Sequence, residues 1–232
     1  MTDKIKMIAH RGYSGRFHEN TEQAFLEAAR HGSAGAETDI RATKDGVFVC
    51  SHNSEIILTD GTELIVADHT FDELTALPLK NKRTDDTVYL CKFERYLEIM
   101  KENDMICFVE FKGSFTDSMV KDVFDLVERV YDMKKCILQS FDFDNLVRTH
   151  ALFPDLGIMW TYGKGESHYE SCFDYGFSID ADKWVADEKM VKAFHDRGLE
   201  VGVWTANTKE ELELCRALGV DYIESDFFGP ND

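Results

Sequence analysis

The stretch ICFVEFKGSFTDSMVKDVFDLVERVYDMKKCILQSFDFDNLVRTHAL, residues 106–152, repeats one pattern twice. In each repeat, a short run rich in aliphatic and aromatic residues is followed by a polar turn and then by apolar residues at helical spacing. This alternation is typical of βα units whose strands lie parallel in one sheet. The stretch therefore predicts an α/β fold.

The same alternation continues outward from this stretch in both directions. Strand-like runs occupy residues 5–9, 36–40, 106–111, 136–140, 157–161, 177–180, 200–205 and 222–225. Helical patterns, several opened by a capping Asp or Thr, occupy residues 21–31, 93–103, 116–131, 142–152, 187–197 and 208–218. Eight parallel strands in 232 residues predict a (β/α)8 TIM barrel, which usually has about 250 residues. An open doubly wound sheet is the alternative.

One interval departs from the regular spacing. More chain separates the second and third predicted strands than one helix and two loops require. A short extended run at 47–51 is followed by residues 53–90, which we expect to form an inserted polar segment with one helical turn near 72–77. In a barrel this segment leaves from the end where active sites are built. We therefore predict one catalytic barrel domain over residues 1–232, with 53–90 as a cap-like insertion between the second and third barrel strands.

The composition excludes several classes of partner. With 26 Lys and Arg against 44 Asp and Glu, the formal net charge is −18, which repels nucleic acid and anionic lipid and predicts no stable membrane association. The first residues lack the apolar core of a signal peptide, and no apolar stretch approaches the roughly 20 residues of a spanning helix, so we expect a cytoplasmic protein. The 6 cysteines show no CxxC spacing, which argues against disulfides and a thiolate zinc site.

Charged residues lie at the ends of the predicted strands, where a barrel gathers its active site. Glu37 and Asp39 are two residues apart and share one strand face, and Glu110 and Lys112 have the same relation. Either pair alone would be read as a solvated face or a simple ion pair. Together, three buried carboxylates are strongly disfavoured unless a cation neutralises them. We predict that Glu37, Asp39 and Glu110 bind one divalent cation, Mg²⁺ or Ca²⁺, which prefer oxygen ligands.

Two histidines and two further cations complete the predicted site. His10 follows the first strand and His52 follows the short extended run, so both imidazoles are expected at one barrel mouth. Their pKa values near neutrality suit a general acid and base pair. Arg11 and Lys112 beside a metal ion would hold an anionic phosphoryl group. This set of groups favours phosphodiester cleavage.

Several separated motifs, in order along nearly the whole chain, resemble those of the glycerophosphodiester phosphodiesterase family. They are AHRGYSGRFHENTEQAF (9–25), ETDIRATKDGVFVCSHN (37–53), VEFK (109–112), QSFD (139–142), VGVWTAN (201–207) and GVDYIESD (219–226). Such an ordered set is far more specific than any single motif. The chain differs from the family's usual pattern by having His18 before Glu-Asn and Asn53 after the second histidine.

The resemblance implies a TIM-barrel hydrolase that converts small glycerophosphodiesters to sn-glycerol 3-phosphate and an alcohol. It implies the same catalytic histidines, metal ligands and phosphate contacts, and a cyclic phosphate formed by a neighbouring substrate hydroxyl and then opened by water. Which histidine acts first as the acid stays open. Trp204 matches a family aromatic that lines the substrate pocket, although core packing explains it equally well.

Two other functions remain open on the sequence alone. One is a lysophospholipase D-like phosphodiesterase acting on acylated substrates, which an exposed apolar rim on the insertion would favour. The other is a non-catalytic barrel that binds phosphate esters, against which the complete set of predicted catalytic residues argues.

Overall fold

Eight parallel strands close into a barrel in the computed structural model, which describes residues 5–227. The strands of this part of the chain are β1 (Lys6–Ala9), β2 (Gly35–Ala42), β3 (Phe48–Cys50), β4 (Glu55–Ile57), β5 (Glu63–Ile65), β6 (Ile106–Phe111), β7 (Cys136–Ser140), β8 (Gly157–Tyr162), β9 (Ser178–Asp182), β10 (Val201–Trp204) and β11 (Tyr222–Ser225). Its α-helices are α1 (Glu22–Arg30), α2 (Phe71–Leu74), α3 (Phe93–Glu102), α4 (Asp117–Val130), α5 (Phe143–Leu152), α6 (Ser171–Tyr175), α7 (Glu188–His195) and α8 (Lys209–Leu218).

The closure of the sheet distinguishes a barrel from an open doubly wound sheet. The strand order is β1-β11-β10-β9-β8-β7-β6-β2, and β1 also pairs in parallel with β2. Each barrel strand therefore has two parallel neighbours, and the predicted (β/α)8 TIM barrel is confirmed. The alternative of an open doubly wound sheet is wrong.

Helix starts follow the capping residues that the sequence offered. Side chains of Thr21, Thr116, Asp142, Asp187 and Thr208 each accept a hydrogen bond from a main-chain N–H in the first turn of the following helix. These bonds satisfy donors that would otherwise lack a partner. The predicted helices are thus present, and each begins one residue after its cap.

The barrel interior changes from apolar to charged along the strands. Ile8, Phe108, Met159 and Tyr222, from four different strands, form one buried apolar cluster. Two residues further along three of these strands come His10, Glu110 and Glu224, whose side chains share the inward face because strand side chains alternate. The apolar layer therefore closes the interior beneath a layer of charged groups at the carboxyl ends of the strands.

The insertion, residues 53–90, folds on a small apolar cluster that also includes Val49 of β3. Its β4 and β5 pair as an antiparallel hairpin, α2 follows, and an isolated bridge joins Leu58 to Leu79. The buried residues of this cluster are Val49, Ile56, Leu58, Val66, Leu74, Leu79, Val88 and Leu90. The prediction of a polar insertion is therefore incomplete, because the segment also contains apolar residues that are buried. These residues are spread irregularly along the sequence and pack together only after the chain folds back on itself. The predicted helical turn is present as α2.

All six cysteines are buried and unpaired, as small core residues. Along residues 5–227, no helix combines the length and apolar character that a bilayer crossing requires, and the longest, α4, has 14 residues.

Candidate active site

Three predicted carboxylates meet where β2 and β6 run side by side. Asp39 lies directly opposite Glu110 in the parallel register, and Glu37 lies two residues earlier on the same face as Asp39. Glu37 and Asp39 are each 1% exposed and Glu110 is 8% exposed. One oxygen from each lies within 4.8 Å of the others. We call these three residues the carboxylate cluster.

Two basic side chains neutralise part of this charge. The Lys112 Nζ lies 3.0 Å from Asp39 Oδ1 and 2.5 Å from Glu110 Oε1, and the Arg11 Nε lies 3.2 Å from Asp39 Oδ2. Burial alone would raise the pKa of Asp39, but the charges of Lys112 and Arg11 outweigh burial and lower it. Sequence analysis placed Arg11 and Lys112 beside the carboxylates, and the structure brings them together there.

The carboxylate cluster fits a divalent cation. Glu37 Oε1 is a buried oxygen without a hydrogen-bond partner, whereas Asp39 Oδ1 faces the Lys112 Nζ. Burial, with the like charges of Asp39 and Glu224 nearby, raises the pKa of Glu37 well above its ordinary value. Carboxylate oxygens that lack donors and repel one another are the ligand set that Mg²⁺ and Ca²⁺ prefer.

The loop after β1 contains residues with positive φ values and donates hydrogen bonds to two residues of the carboxylate cluster. Arg11 has φ 55° and Gly12 has φ 75°, and the Arg11 main-chain N–H donates to Glu37 Oε2 at 2.9 Å. A Cβ on Gly12 would lie 2.7 Å from the carbonyl carbon of Ala24, so only glycine fits against α1. Asn20, with φ 57°, donates from Nδ2 to Asp39 Oδ2 at 2.8 Å. The loop thus fixes two of the three carboxylates.

The two histidines flank the cluster with different partners. His10 Nδ1 lies 2.7 Å from Asp226 Oδ1, and one ring nitrogen of His10 lies within 4.8 Å of a carboxylate oxygen of Glu37. His52 Nδ1 lies 2.9 Å from Asn53 Oδ1, and burial lowers the pKa of His52 although the charge of Asp39 opposes this. A carboxylate or an amide oxygen at Nδ1 fixes the imidazole tautomer and leaves Nε2 for proton transfer. Both histidines are therefore within electrostatic reach of the carboxylate cluster.

The sequence analysis missed a second group of buried acids below the cluster. Glu224 and Asp180 each accept a hydrogen bond at 2.9 Å from Gln139 Nε2, and burial raises the pKa of both well above the ordinary values. One oxygen of Glu224 also lies within 4.8 Å of ligand atoms of His10 and Glu37. The available signal was a carboxylate directly after an isoleucine inside each of two predicted strands, Asp180 in β9 and Glu224 in β11.

Trp204 lies on the other side of the mouth. Its Nε1 donates to the main-chain oxygen of Asp180 at 3.1 Å, and its ring meets Phe141 edge to face at 5.6 Å. The Lys112 Nζ lies 5.5 Å from the centre of the same Phe141 ring. An aromatic pair therefore extends from Lys112 toward the outside of the barrel mouth.

Asp226, which the sequence analysis did not assign, holds three donors at the end of β11. His10 Nδ1 and Ser14 Oγ contact Oδ1 at 2.7 and 3.0 Å, and Asn207 Nδ2 donates to Oδ2 at 2.7 Å. Burial favours a higher pKa, but these bonds outweigh it and lower the pKa of Asp226 from 3.8 to about 2. This stabilisation is complete above the unfolded pKa and is lost as pH falls from about 4 toward 2.

We therefore expect Asp226→Asn to lower the free energy of unfolding by about 2 kcal/mol at pH 7. The difference from the unsubstituted protein should fall to about half by pH 3, because the Asp226 carboxyl of the unfolded chain then binds a proton while that of the folded chain stays mostly ionised. Urea unfolding at the two pH values measures this. An equal difference at both would show that the Asp226 charge does not contribute.

A (β/α)8 barrel with buried carboxylates and histidines at the carboxyl ends of its strands defines the class of TIM-barrel enzymes. The sequence matches the model of the Glycerophosphoryl diester phosphodiesterase family over residues 10–229. The chain belongs to this family, which confirms the resemblance seen in its motifs.

Individual relatives are similar to this protein over nearly its full length. Glycerophosphodiester phosphodiesterase 1 of Homo sapiens is 42% identical over 263 residues, covering 95% of this chain and 78% of the human protein. A glycerophosphodiester phosphodiesterase of Parabacteroides distasonis has a TM-score of 0.82 at 26% identity, with 97% and 93% of the two chains covered. A phosphodiesterase of Oleispira antarctica, solved with the product sn-glycerol-3-phosphate, has a TM-score of 0.84 at 20% identity, with 96% and 93% covered.

Proposed function

We propose that this protein hydrolyses glycerophosphodiesters to sn-glycerol 3-phosphate and an alcohol in a cation-dependent reaction. The observation that carries the proposal is the carboxylate cluster, with the unpartnered Glu37 Oε1, flanked by His10 and His52 at one barrel mouth. Membership of the family supports the reaction, as does the product bound to the Oleispira antarctica phosphodiesterase.

The phosphoryl group is held by positive charge on several sides. A divalent cation, Mg²⁺ or Ca²⁺, bound by Glu37, Asp39 and Glu110 would stabilise negative charge on the phosphoryl oxygens. Lys112 and Arg11 already contact the cluster and present further N–H donors to the same region. The Arg11 guanidinium is also held by Glu19 at 3.2 Å, which limits its motion while it binds an anion.

The two histidines transfer the protons. One accepts the proton of the attacking hydroxyl, and the other donates a proton to the departing alkoxide, each by way of Nε2. When a substrate hydroxyl attacks first, the ester bond to the alcohol breaks and a cyclic phosphate forms. Water then opens the cyclic phosphate with the histidines in exchanged roles, and the product is sn-glycerol 3-phosphate. Trp204 and Phe141 provide an apolar wall beside Lys112 for the substrate carbons.

The decisive experiment is the release of sn-glycerol 3-phosphate from a panel of glycerophosphodiesters, with Mg²⁺ or Ca²⁺ and with EDTA. We expect turnover with a divalent cation and its loss in EDTA. Turnover that is indifferent to EDTA would reject the role of the cation. No product from any member of the panel would reject the reaction.

A second candidate function is the hydrolysis of acylated substrates in the manner of a lysophospholipase D. The observation that favours it is a set of large apolar side chains on the insertion that are 37–49% exposed, namely Ile57, Ile65, Leu77 and Tyr89. Lysophospholipid in mixed micelles tests it. Faster turnover of the acylated compound than of its deacylated counterpart would favour this second function over the first.

A further inference from the structure

Three basic side chains of the insertion have no acidic partner. Lys80, Lys82 and Arg83, here called the basic triad, are exposed, and none has a carboxylate oxygen within 4.0 Å in the part of the chain that the structure describes. Arg11 and Lys112 at the carboxylate cluster are, by contrast, paired with acids. Basic side chains that have no acidic partner within the protein can bind an anion from solution.

The basic triad lines a cavity that adjoins the proposed reaction centre. The cavity, of about 460 Å³, lies between the insertion and the loop after β1, and its wall includes His52, Glu19 and Asn20. Asn20 donates to Asp39, and Glu19 pairs with Arg11, so the cavity shares its wall with the residues that hold the carboxylate cluster. A space of this size is typical of sites for small molecules and exceeds what glycerol alone would fill.

The acids in the cavity wall do not cancel the positive charge of the triad. Glu19 is paired with Arg11, so Glu55 leaves one negative charge in the wall against the three positive charges of the triad. Burial lowers the pKa of His18 in the same wall, and the charges of Lys82 and Arg83 lower it further, while Glu19 opposes them. The positive charges of Lys82 and Arg83 therefore act on groups inside the cavity and disfavour the binding of a cation there.

We propose that this cavity receives the alcohol group of the diester and selects alcohols that carry their own negative charge, as a phosphate or a carboxylate. The inference rests on the proposed function, because it assigns a substrate class to that same site. The scissile phosphate has Arg11 and Lys112, and the glycerol moiety is uncharged. An anion for the basic triad must then come from the alcohol, while the quaternary ammonium of a choline group is repelled.

The sharpest test uses two diesters that differ by one phosphate. These are glycerophosphoglycerol and the same compound phosphorylated on its terminal hydroxyl. We expect kcat/KM to favour the phosphorylated compound by about tenfold, as expected for charge-assisted contacts with two or three cations at a partly exposed site. Glycerophosphoglycerate tests the carboxylate in the same assay, because its alcohol group carries no ammonium, and glycerophosphocholine tests the cationic group. Higher ionic strength should reduce the preference, because screening weakens exposed charge pairs.

A double variant connects the preference to the triad. In Lys82→Ala/Arg83→Ala the ratio of kcat/KM values for the two diesters should fall to about twofold or less, and in Lys82→Glu/Arg83→Glu it should invert. The matched control is Lys134→Ala/Lys135→Ala, which removes the same charge just before β7, at the opposite end of the barrel. The control should keep the ratio of the unsubstituted protein.

The outcomes separate this inference from the proposed function. If the unsubstituted protein hydrolyses no diester, the proposed function fails. If it hydrolyses all four with no preference for a negatively charged alcohol, or if the preference survives both double substitutions, the function stands and this inference is overturned. The salt dependence is measured on the unsubstituted protein and therefore tests the inference even if a variant folds poorly.

Discussion

Alanine at His10, or at His52, should lower turnover of glycerophosphodiesters by at least about 10²-fold while the barrel stays folded. Each imidazole transfers a proton in the proposed reaction, and its Nδ1 is already held, by Asp226 at His10 and by Asn53 at His52. Removing either leaves a step without its proton donor or acceptor. Steady-state release of sn-glycerol 3-phosphate measures the loss, and thermal unfolding verifies that each variant is folded.

The chain provides a matched control for these variants. His195 Nε2 lies 2.9 Å from Asp221 Oδ2, so it forms a histidine–aspartate pair like that of His10 and Asp226. Asp221 immediately precedes β11, which places this pair at the end of the barrel away from the mouth. His195→Ala should therefore leave turnover unchanged. Near-native turnover in His10→Ala or His52→Ala would remove that histidine from the reaction.

Much of the fold was predictable because its elements are local. The strands β6, β7 and β11 occupy the predicted residues, since each is a short apolar run bounded by polar turns. The alternation of side chains along a strand likewise predicted that Glu37 and Asp39 share a face. The helix α6, of five residues, was not predicted, because one turn offers too little periodicity to detect.

The contacts that orient the site were less predictable, since barrel closure creates them. His10 and Asp226 are 216 positions apart and meet only because β1 pairs with β11. Asn20 contacts Asp39 from a loop that contains positive φ values, and no pattern of residue types predicts these values. The sequence could therefore suggest candidate residues for the chemistry, but not which residues hold those candidates in place.

Glu37→Gln should abolish cation-dependent stabilisation without destabilising the protein in the absence of cation. Gln keeps an oxygen for the Arg11 N–H and removes a charge that burial and neighbouring acids disfavour. Divalent cation at 100 times its Kd should stabilise the unsubstituted protein by about 2.7 kcal/mol, or about 5–10 °C in Tm. The variant should show almost none of this rise, and its turnover should fall at least about 10²-fold, because a lost ligand weakens stabilisation of the phosphoryl charge. Thermal unfolding against Mg²⁺ and Ca²⁺ concentration measures both proteins.

The Asp180→Asn variant is a control for Glu37→Gln. It shows whether an effect comes from the loss of a cation ligand or from the removal of any buried carboxylate in the barrel. Asp180 is as deeply buried as Glu37 and also has an unpartnered oxygen, but it is not part of the carboxylate cluster. Its amide variant removes the same charge from the same interior, so it should retain the rise in Tm on adding cation. If Glu37→Gln kept the full rise, or if neither Mg²⁺ nor Ca²⁺ raised the Tm of the unsubstituted protein, the carboxylate cluster would not be the cation site. If both variants lost the rise in Tm, cation binding would depend on the total negative charge of the barrel interior rather than on the three ligands.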